Sequence, residues 1–527
     1  MIPGLLAWGT LLGMVALSRY TPTFVSVFII LFDIYWLLKS IYLSLHLRST
    51  FSRMQENLKI DWLRKLKELD ARPTTYRWHD IRHLVIVPMY KEQYEIVREG
   101  ILSIAKAQYP KENMLLVLAV EARAGEGARR VAERIEREYK NSFFKFLVTV
   151  HPDGLPGEIP GKGSNEAWAG REAKRLLIDS LKIPYDHVLV SVLDADTQVF
   201  PHYFSRLTYV FLREENRLRA IYQPVPLFTN NIYQAPALAR VISFSSTFWQ
   251  MIQQARQERL TSFSSQSIPF RAVVDFGFWQ KDIVSEDSRV FWQGYLHYHG
   301  DFRVVPLLYP VSMDANVAPT FWETMKNTYK QHRRWGWGAE NIPYMLCGNR
   351  DANDSNSIRI PQMNKNNSKH SDAFVDSNRR EGFLYDRKIP LKKKWYWSFQ
   401  SIEGFHSWAT NALMIFALGW LPIVLGGKEF HSTLLSRSLP QITRFIVTLS
   451  MVGIASSAIV SVILLPPKPP WFTKRYYVLY CLQWLLIPVT LIFFGSFPGL
   501  EAQTRLMLGG KWRLGFWVTP KTRSVSR

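Results

Sequence analysis

Residues 187–196, HVLVSVLDAD, have the pattern of a buried β-strand that ends in two aspartates. Valine-rich runs with few polar residues are typical of strands covered on both faces of a parallel sheet. Asp194 and Asp196 follow at i and i+2, so a turn at the strand end can direct both carboxylates to one cation. Mg²⁺ or Mn²⁺ takes such oxygen ligands and usually keeps places for substrate phosphates. An Asp-x-Asp pair is also common as a turn or helix N-cap, so the motif alone leaves the choice open.

Similar β-rich runs lie on both sides of this segment, with helical patterns between them. The other predicted strands are His83–Pro88, Met114–Val120, Lys145–Val150, Arg219–Gln223 and Arg303–Leu307. The predicted helices are Gln93–Gln108, Gly125–Tyr139, Ser164–Leu181 and Pro201–Glu214. This alternation predicts an α/β fold with βαβ units and a mostly parallel sheet. Ligands of such sheets bind beyond the carboxyl ends of the strands, so polar residues just after each strand are the candidates for a site.

Apolar segments flank this α/β region at both ends of the chain. Phe24–Leu47 is long enough to cross a hydrocarbon core of about 30 Å, and Ile2–Leu17 supplies a shorter helix before it. Three more apolar stretches follow near the C-terminus: Trp408–Leu425, Phe445–Leu465 and Tyr477–Phe497. We therefore expect an integral membrane protein of the inner or plasma membrane.

Charge predicts the orientation of these segments. The chain turns basic after Leu47, and the loop Pro466–Arg475 is basic too, which places both, and the middle region, in the cytoplasm. Three further crossings would leave the basic C-terminal tail outside, which contradicts the same rule. We expect one stretch to be re-entrant or interfacial, or to conceal two crossings. Trp408–Leu425, with Pro422, is the first candidate.

Composition limits the classes of partner. The chain has 527 residues, enough for several domains, and 65 Lys and Arg against 43 Asp and Glu give a net charge of +22. Such an excess is typical of proteins that bind nucleic acid or an anionic membrane surface. Much of the positive charge lies next to the apolar segments, so we expect the lipid bilayer as partner and no nucleic acid. Two cysteines exclude a disulfide framework and a multi-cysteine metal site.

Two further motifs contain residues suited to sugar or phosphate chemistry. Ser285-Glu286-Asp287 offers an acidic pair, one member of which is a candidate general base. Taken alone, the pair is more typical of the N-cap and first turn of a helix opening Ser288–Gln293. Gln331-His332-Arg333-Arg334-Trp335 offers a planar guanidinium for a diphosphate and an indole face for a ring. A basic interfacial helix on anionic lipid is the alternative.

A glycine-rich turn, GEIPGKGS at residues 157–164, precedes a predicted helix. It is not a P-loop, because only three residues separate the first two glycines of that pattern and Gly163 follows Lys162. A lysine at a helix N-terminus is still able to contact a phosphate.

The order of these motifs resembles that of family 2 glycosyltransferases. Pro88-x-Tyr90-x-Glu92, the acid Glu121 after the second strand, then DAD, ED and Q-x-x-R-W follow one another over about Ile81–Tyr344. The resemblance is closest to the membrane-integrated, inverting members, which include cellulose and hyaluronan synthases and ceramide glucosyltransferase. Phe516-Trp517-Val518-Thr519-Pro520-Lys521 is similar to the F-x-V-T-x-K gating loop of bacterial cellulose synthase. The resemblance implies a GT-A-type cytoplasmic domain flanked by transmembrane helices.

The resemblance also implies a role for each candidate residue. Asp194 and Asp196 would hold Mg²⁺ or Mn²⁺ and the nucleotide diphosphate, and Asp287 would be the catalytic base with Glu286 beside it. The other implied roles are nucleotide-sugar contacts at Glu92, Glu121 and Lys162, an acceptor and diphosphate site at Gln331, Arg334 and Trp335, and a gating loop with Phe516, Thr519 and Lys521. Glu121 stands where the family usually has Asp, and His332 where Gln or Arg is common.

The expected domain organisation follows from the motifs and the apolar segments. It comprises a transmembrane hairpin (1–47), a basic linker (48–80), the glycosyltransferase domain (81–345), an insertion with an interfacial segment (346–403), a transmembrane region (404–497) and an interfacial helix with the gating-like tail (498–527). The expected activity is inverting, metal-dependent transfer from a UDP-sugar to a growing polysaccharide. Single transfer to a membrane lipid, and a non-catalytic membrane scaffold, are the alternatives.

Overall fold

The computed structural model describes residues 2–69, 76–348 and 382–521. The insertion expected at Asn349–Arg380 lies outside the described residues.

A single mixed sheet forms the centre of the chain. Within the described residues it has eight strands: β1 Arg82–Met89, β2 Met114–Glu121, β3 Lys145–His151, β4 Val188–Val192, β5 Gln198–Val199, β6 Ala220–Phe228, β7 Ser267–Pro269 and β8 Arg303–Met313. Their order is β3-β2-β1-β4-β7-β6-β8-β5. The pairs β3–β2, β2–β1, β1–β4 and β6–β8 are parallel, whereas β7 runs antiparallel to both its neighbours and β5 is antiparallel to β8. The predicted α/β fold with a mostly parallel sheet is confirmed.

Helices cover the sheet and extend beyond it. In the part of the chain that the structure describes, the α-helices are α1 Ile2–Tyr20, α2 Pro22–Leu58, α3 Trp62–Leu69, α4 Tyr94–Ala105, α5 Glu126–Tyr139, α6 Lys162–Ala173, α7 Tyr203–Arg213, α8 Ala237–Gln254, α9 Phe270–Asp275, α10 Glu286–His297, α11 Phe321–Gly336, α12 Asn341–Cys347, α13 Leu391–Phe416, α14 Leu421–Leu425, α15 Gly427–His431, α16 Leu434–Ile463, α17 Lys474–Leu482, α18 Ile487–Leu491 and α19 Phe497–Leu508.

The sheet has a hydrophobic core on each face because side chains alternate along each strand. On β1, Val85 and Val87 face the core that contains α4, α5 and α7. Leu84 and Ile86 face the other core, which contains α6, α9 and α10. Both faces are therefore covered, and the carboxyl ends of the parallel strands are left as the edge where polar loops gather.

Several helices have the length and composition of membrane spans. Among the described residues, four meet these criteria: α1, α2, α16 and the broken helix Lys474–Leu508. The pair α13 and Leu418–Leu425 meets them jointly, with a bend of 47° between Phe416 and Leu418, and raises the number to five. α2 packs along α16, and both enter a core shared with α8 that contains Leu47, Met54, Ala458 and Leu464.

The segment Lys474–Leu508 is attached to the α/β domain along its length. Gln483 accepts a hydrogen bond from Arg240 of α8 at 2.8 Å, and Trp484 stacks on Phe248 of the same helix. Further on, Glu501 accepts hydrogen bonds from Tyr329 at 2.9 Å and Arg333 at 2.6 Å, both on α11. The sequence pointed to Trp408–Leu425 as the stretch that does not simply cross. The 47° bend lies within that stretch, as predicted, and the contacts with the α/β domain make Tyr477–Phe497 a second candidate.

Candidate active site

The acids of two separate motifs meet at one lysine. Lys162, the first residue of α6, places its Nζ atom 2.8 Å from Asp194 Oδ1 and 2.8 and 2.9 Å from the two carboxylate oxygens of Asp287. Glu166 and Glu286 lie further from the same atom, at 3.6 and 3.9 Å. Asp194 follows β4, Lys162 opens the helix after β3, and Asp287 lies in the first turn of α10. The carboxyl edge of the sheet thus brings three distant segments together.

The second aspartate of the DAD motif binds a different lysine. Lys521 from the C-terminal tail donates to Asp196 Oδ1, while Asp196 Oδ2 accepts from the Asp314 backbone N–H at 3.1 Å. Glu92 lies near Lys521, and its negative charge contributes to raising the pKa of that lysine. Glu92 also accepts from the backbone N–H of Tyr90 at 2.6 Å, which fixes the turn after β1.

Burial and the two lysines set the protonation of the cluster. Burial alone would raise the pKa of Asp194, but Lys162 and Lys521 lower it below its ordinary range. Burial would likewise lower the pKa of Lys162, which the surrounding carboxylates raise instead. Burial and then Asp287 raise the pKa of Glu286 to about 8, so this side chain is mostly protonated at neutral pH. Asp287 is therefore the stronger candidate for a base at neutral pH, and Glu286 is better suited to carrying a proton.

The glycine-rich turn serves close packing around Lys162. A Cβ on Gly161 would lie 2.6 Å from Phe516 Cγ, and one on Gly163 would lie 3.0 Å from both Gln280 O and Glu286 Cβ. Side chains larger than hydrogen at these two positions would push away the tail and the acidic pair.

The C-terminal tail lies across the edge of the site. The Phe516 ring lies 5.0 Å from the guanidinium carbon of Arg334, and the Trp517 ring lies 5.2 Å from Lys330 Nζ. Thr519 is buried, and Lys521 reaches Asp196. The structure thus brings the FWVTPK segment together with the DAD and QHRRW motifs.

Helix α11 carries the QHRRW motif in its last turns. Its N-terminus is capped by Thr320, whose hydroxyl accepts from the Glu323 backbone N–H at 3.2 Å, the sequence signature of a capping box. Burial lowers the pKa of His332 to about 4, so its imidazole is neutral. The His332 ring lies 4.7 Å from the ring of Trp335, which also contacts Phe263 at 6.0 Å. Gln331 and Trp335 line a cleft beside Asp314.

Glu121 belongs to a separate cleft at the ends of β2 and β3. It accepts from Arg123 Nε at 2.5 Å, and the Arg123 guanidinium lies 4.4 Å from the Tyr90 ring. His151, Asp153 and Glu158 help to line the same cleft. The described contacts do not join Glu121 to the Lys162 cluster.

Motif analysis missed several residues of the cluster. Ser264 donates to Asp194 Oδ2 at 2.7 Å and lies 3.5 Å from Lys162, and Glu166 adds a buried acid one helical turn after that lysine. Asp314 follows β8 directly, so the rule of inspecting polar residues after strands would have found it. Ser264 lies in the hydroxyl-rich run 262–267, which has no strand pattern to mark it.

Comparison with known proteins gives structural similarity without sequence matches. No family model and no curated protein matches the sequence. A mannosyltransferase from Pyrobaculum calidifontis, solved in complex with GDP-Man and Mn²⁺, is 13% identical with a TM-score of 0.42, covering 82% of this chain and 99% of that one. Residues 1–349 of TarS from S. aureus are 10% identical with a TM-score of 0.35, covering 82% and 93%. GalNAc-T7 with UDP, GalNAc and Mn²⁺ is 10% identical with a TM-score of 0.30, covering 50% and 51%. At such scores the activity has to be argued from the residues.

Proposed function

We propose that this protein is a membrane glycosyltransferase that moves a sugar from a UDP-sugar to the end of a growing polysaccharide, with inversion at the anomeric carbon. The observation that carries the proposal is the convergence of Asp194, Asp196, Asp287 and the C-terminal tail at one edge of the sheet. Open α/β sheets bind their ligands at this edge. The order of the motifs along the chain supports the type of transfer.

In the proposed reaction, Asp287 takes the proton of an acceptor hydroxyl while the hydroxyl oxygen attacks the anomeric carbon of the donor sugar. The bond between the sugar and the nucleoside diphosphate breaks in the same step, so no covalent enzyme intermediate forms. Lys162 forms an ion pair with Asp287 at 2.8 Å and holds its carboxylate in place. A role for Arg334 in binding the diphosphate is supported by its Nε atom, which is buried and has no hydrogen-bond partner among the described residues.

The donor set fits Mg²⁺ or Mn²⁺. Asp194 and Asp196 offer hard carboxylate oxygens, and Mg²⁺ in proteins commonly takes one or two carboxylates together with substrate phosphates. Among the described residues, no group of three or more His, Cys, Asp and Glu is arranged to hold a metal, so the diphosphate would complete the ligand set. A bound divalent cation would neutralise charge on the departing nucleoside diphosphate.

Nucleotide release from purified protein across a panel of UDP-sugars, with Mg²⁺ or Mn²⁺, tests the proposal. We expect Asp287→Asn to lower turnover about 10²–10⁴-fold, the usual contribution of a general base, while donor binding persists. Asp194→Asn should lower turnover and weaken donor binding. Asp282→Asn, an exposed aspartate in the preceding loop, is the matched control. Near-normal turnover of Asp287→Asn would exclude this residue as the base.

Removal of the metal provides a second test of the same site. EDTA should abolish nucleotide release in the wild type, and added Mg²⁺ or Mn²⁺ should restore it. Full activity in the presence of excess EDTA would show that Lys162 and Lys521 balance the charge without a metal.

A further inference from the structure

Three cations gather where α2, the chain just after α8, and α13 meet. Lys39 of α2 places its Nζ atom 3.3 Å from Glu403 Oε1 on α13, and Arg259 contacts the other oxygen of the same carboxylate at 3.7 Å. Arg256 precedes Arg259 by three residues, and its guanidinium carbon lies 5.3 Å from the centre of the Tyr42 ring on α2. One carboxylate is therefore shared by two of the three cations.

The two arginines are largely buried and leave hydrogen-bonding capacity unused. The side chain of Arg256 is 11% exposed and that of Arg259 is 20% exposed. Both Nε atoms are buried and have no hydrogen-bond partner among the described residues. The carboxylates paired with them, Glu258 and Glu403, lie at 3.7 Å, beyond the usual hydrogen-bond range of about 2.7–3.2 Å. Buried donors are nearly always satisfied, so these guanidinium groups indicate a ligand that supplies acceptor oxygens.

Positive charge is in excess within this cluster. Glu258 is exposed, so Glu403 is the acid that lies among the three cations. Burial and then the charge of Arg256 lower the pKa of Arg259, which means that the two like charges repel each other. An anion between them would relieve this repulsion. Paired guanidinium groups are typical of phosphate recognition, because their planar donors match two phosphate oxygens.

The surroundings of the cluster are those of a membrane surface. Lys39 lies in the apolar part of α2, one of the helices with the length and composition of a membrane span. At the start of α13, Tyr396 donates its hydroxyl to the Glu258 carbonyl at 3.3 Å, and the neighbouring side chains of Trp395 and Phe399 are exposed. Tyr and Trp are enriched where a membrane meets water, and basic pockets between membrane helices bind anionic lipid headgroups.

We infer that Lys39, Arg256 and Arg259 form a binding site for the phosphate of an anionic phospholipid in the leaflet next to the α/β domain. The exposed rings of α13 would lie along its acyl chains, which a soluble phosphate lacks. A zwitterionic lipid is a poorer ligand, because its own ammonium group offsets the charge of its phosphate. The proposed sugar transfer does not use these three residues, so the site is an addition to that function.

Native mass spectrometry of the full-length protein in detergent tests this site. Titration with phosphatidylglycerol, and with phosphatidylcholine as the zwitterionic comparison, gives the Kd of each lipid. We expect the wild type to bind phosphatidylglycerol more tightly, and Arg256→Gln/Arg259→Gln to raise its Kd about tenfold or more, through the loss of charged hydrogen bonds. Lys474→Gln/Arg475→Gln is the matched control, because it removes two positive charges from exposed positions beside another apolar segment. It should leave the Kd unchanged.

Glu403→Gln is a second variant with the opposite expected effect, and it keeps the test decisive if the double arginine variant fails to fold. Removing this carboxylate frees Lys39 and Arg259, so the Kd for phosphatidylglycerol should fall. Equal Kd values for the two lipids in the wild type would overturn the inference, as would equal losses in the arginine variant and its control. A Kd that does not fall in folded Glu403→Gln would overturn it too. Inorganic phosphate that binds as tightly as phosphatidylglycerol would exclude the lipid as the ligand.

Discussion

Lys162 connects the two halves of the proposed chemistry. Its ammonium group touches Asp194, assigned to the donor, and Asp287, assigned to the acceptor hydroxyl. Removing one partner from a buried ion pair usually costs about 3–5 kcal/mol, because the remaining charge is left without compensation. Lys162→Met should therefore lower the free energy of unfolding as well as turnover, and is a poor probe of catalysis alone.

Glu286 predicts how stability depends on pH. Its pKa is raised from 4.5 to about 8 by burial and by Asp287, so the folded protein holds this proton more tightly than the unfolded chain. The free energy of unfolding should therefore fall as the pH rises from about 4.5 to about 8. Glu286→Gln removes this contribution and should flatten the decrease. Thermal unfolding midpoints between pH 5 and pH 8, in detergent, measure it.

The control for this prediction is Glu112→Gln, which changes an exposed glutamate. It should leave the pH dependence of the unfolding midpoint as in the wild type. A Glu286→Gln protein whose midpoint falls with pH as steeply as that of the wild type would show that Glu286 is already ionised.

At the scale of residues, sequence motifs predict the polar residues that follow strands, but they do not predict residues that reach the site only through tertiary packing. Asp194, Asp196 and Asp287 were predicted because their types and order are distinctive. Ser264 and Glu166 were not, because a serine in a loop and a glutamate on a helix have ordinary sequence contexts. Their proximity to Lys162 depends on how three segments fold onto one edge. Glu121 shows the reverse case, a predicted residue that the fold places in a neighbouring cleft.

The C-terminal tail contacts the site through Phe516 and Lys521. Its Phe516 fits against Gly161, where a Cβ would approach to 2.6 Å. Gly161→Ala should therefore displace Phe516 and loosen Lys521 from Asp196. Because a charge-assisted hydrogen bond contributes about 1.5–3 kcal/mol, we expect turnover to fall about tenfold or more. Nucleotide release and limited proteolysis of the tail measure the two effects.

Gly515→Ala is a matched control within the tail, because a Cβ at that position would meet no atom within 4 Å. It should preserve both turnover and protease resistance. If Gly161→Ala behaves like Gly515→Ala, the tail does not depend on this contact.

At the scale of elements, the predicted strands were found, whereas the 18-residue helix α8 and the shortest strands were missed. β2 and β3 begin at the predicted residues, Met114 and Lys145, although only β2 is buried along its whole length. β5 and β7 have two and three residues, too few for any periodic pattern, and were missed. α2 extends 11 residues beyond the predicted end at Leu47, to Leu58, since its polar last turns still bury Met54 against α8.

At the scale of the whole molecule, contacts of the segment Lys474–Leu508 bear on the conflict between three C-terminal crossings and a basic tail expected in the cytoplasm. The loop before Lys474 reaches the α/β domain, since Tyr233 donates to Pro466 O at 2.6 Å and its ring contacts Trp471. The chain after Leu508 reaches the same domain through Lys521. Both ends of Lys474–Leu508 thus lie on one side, and its exposed leucines and phenylalanines suit an interfacial position. We therefore propose that, among the described residues, α13 and α16 are the C-terminal crossings, an arrangement that would put the tail on the cytoplasmic side and satisfy the charge rule.

Cysteine labelling in sealed vesicles of known orientation tests this topology. Lys428→Cys, Lys468→Cys and Lys511→Cys, made with Cys347 and Cys481 replaced by Ser, place single thiols at exposed positions. α16 is 30 residues long, about 45 Å, and separates Lys428 from the end that packs on α8. A membrane-impermeant maleimide should therefore label Lys468→Cys and Lys511→Cys from the same side and Lys428→Cys from the opposite one. Labelling of Lys511→Cys together with Lys428→Cys would mean that Lys474–Leu508 crosses, and the tail could then not reach Asp196 from the cytoplasm.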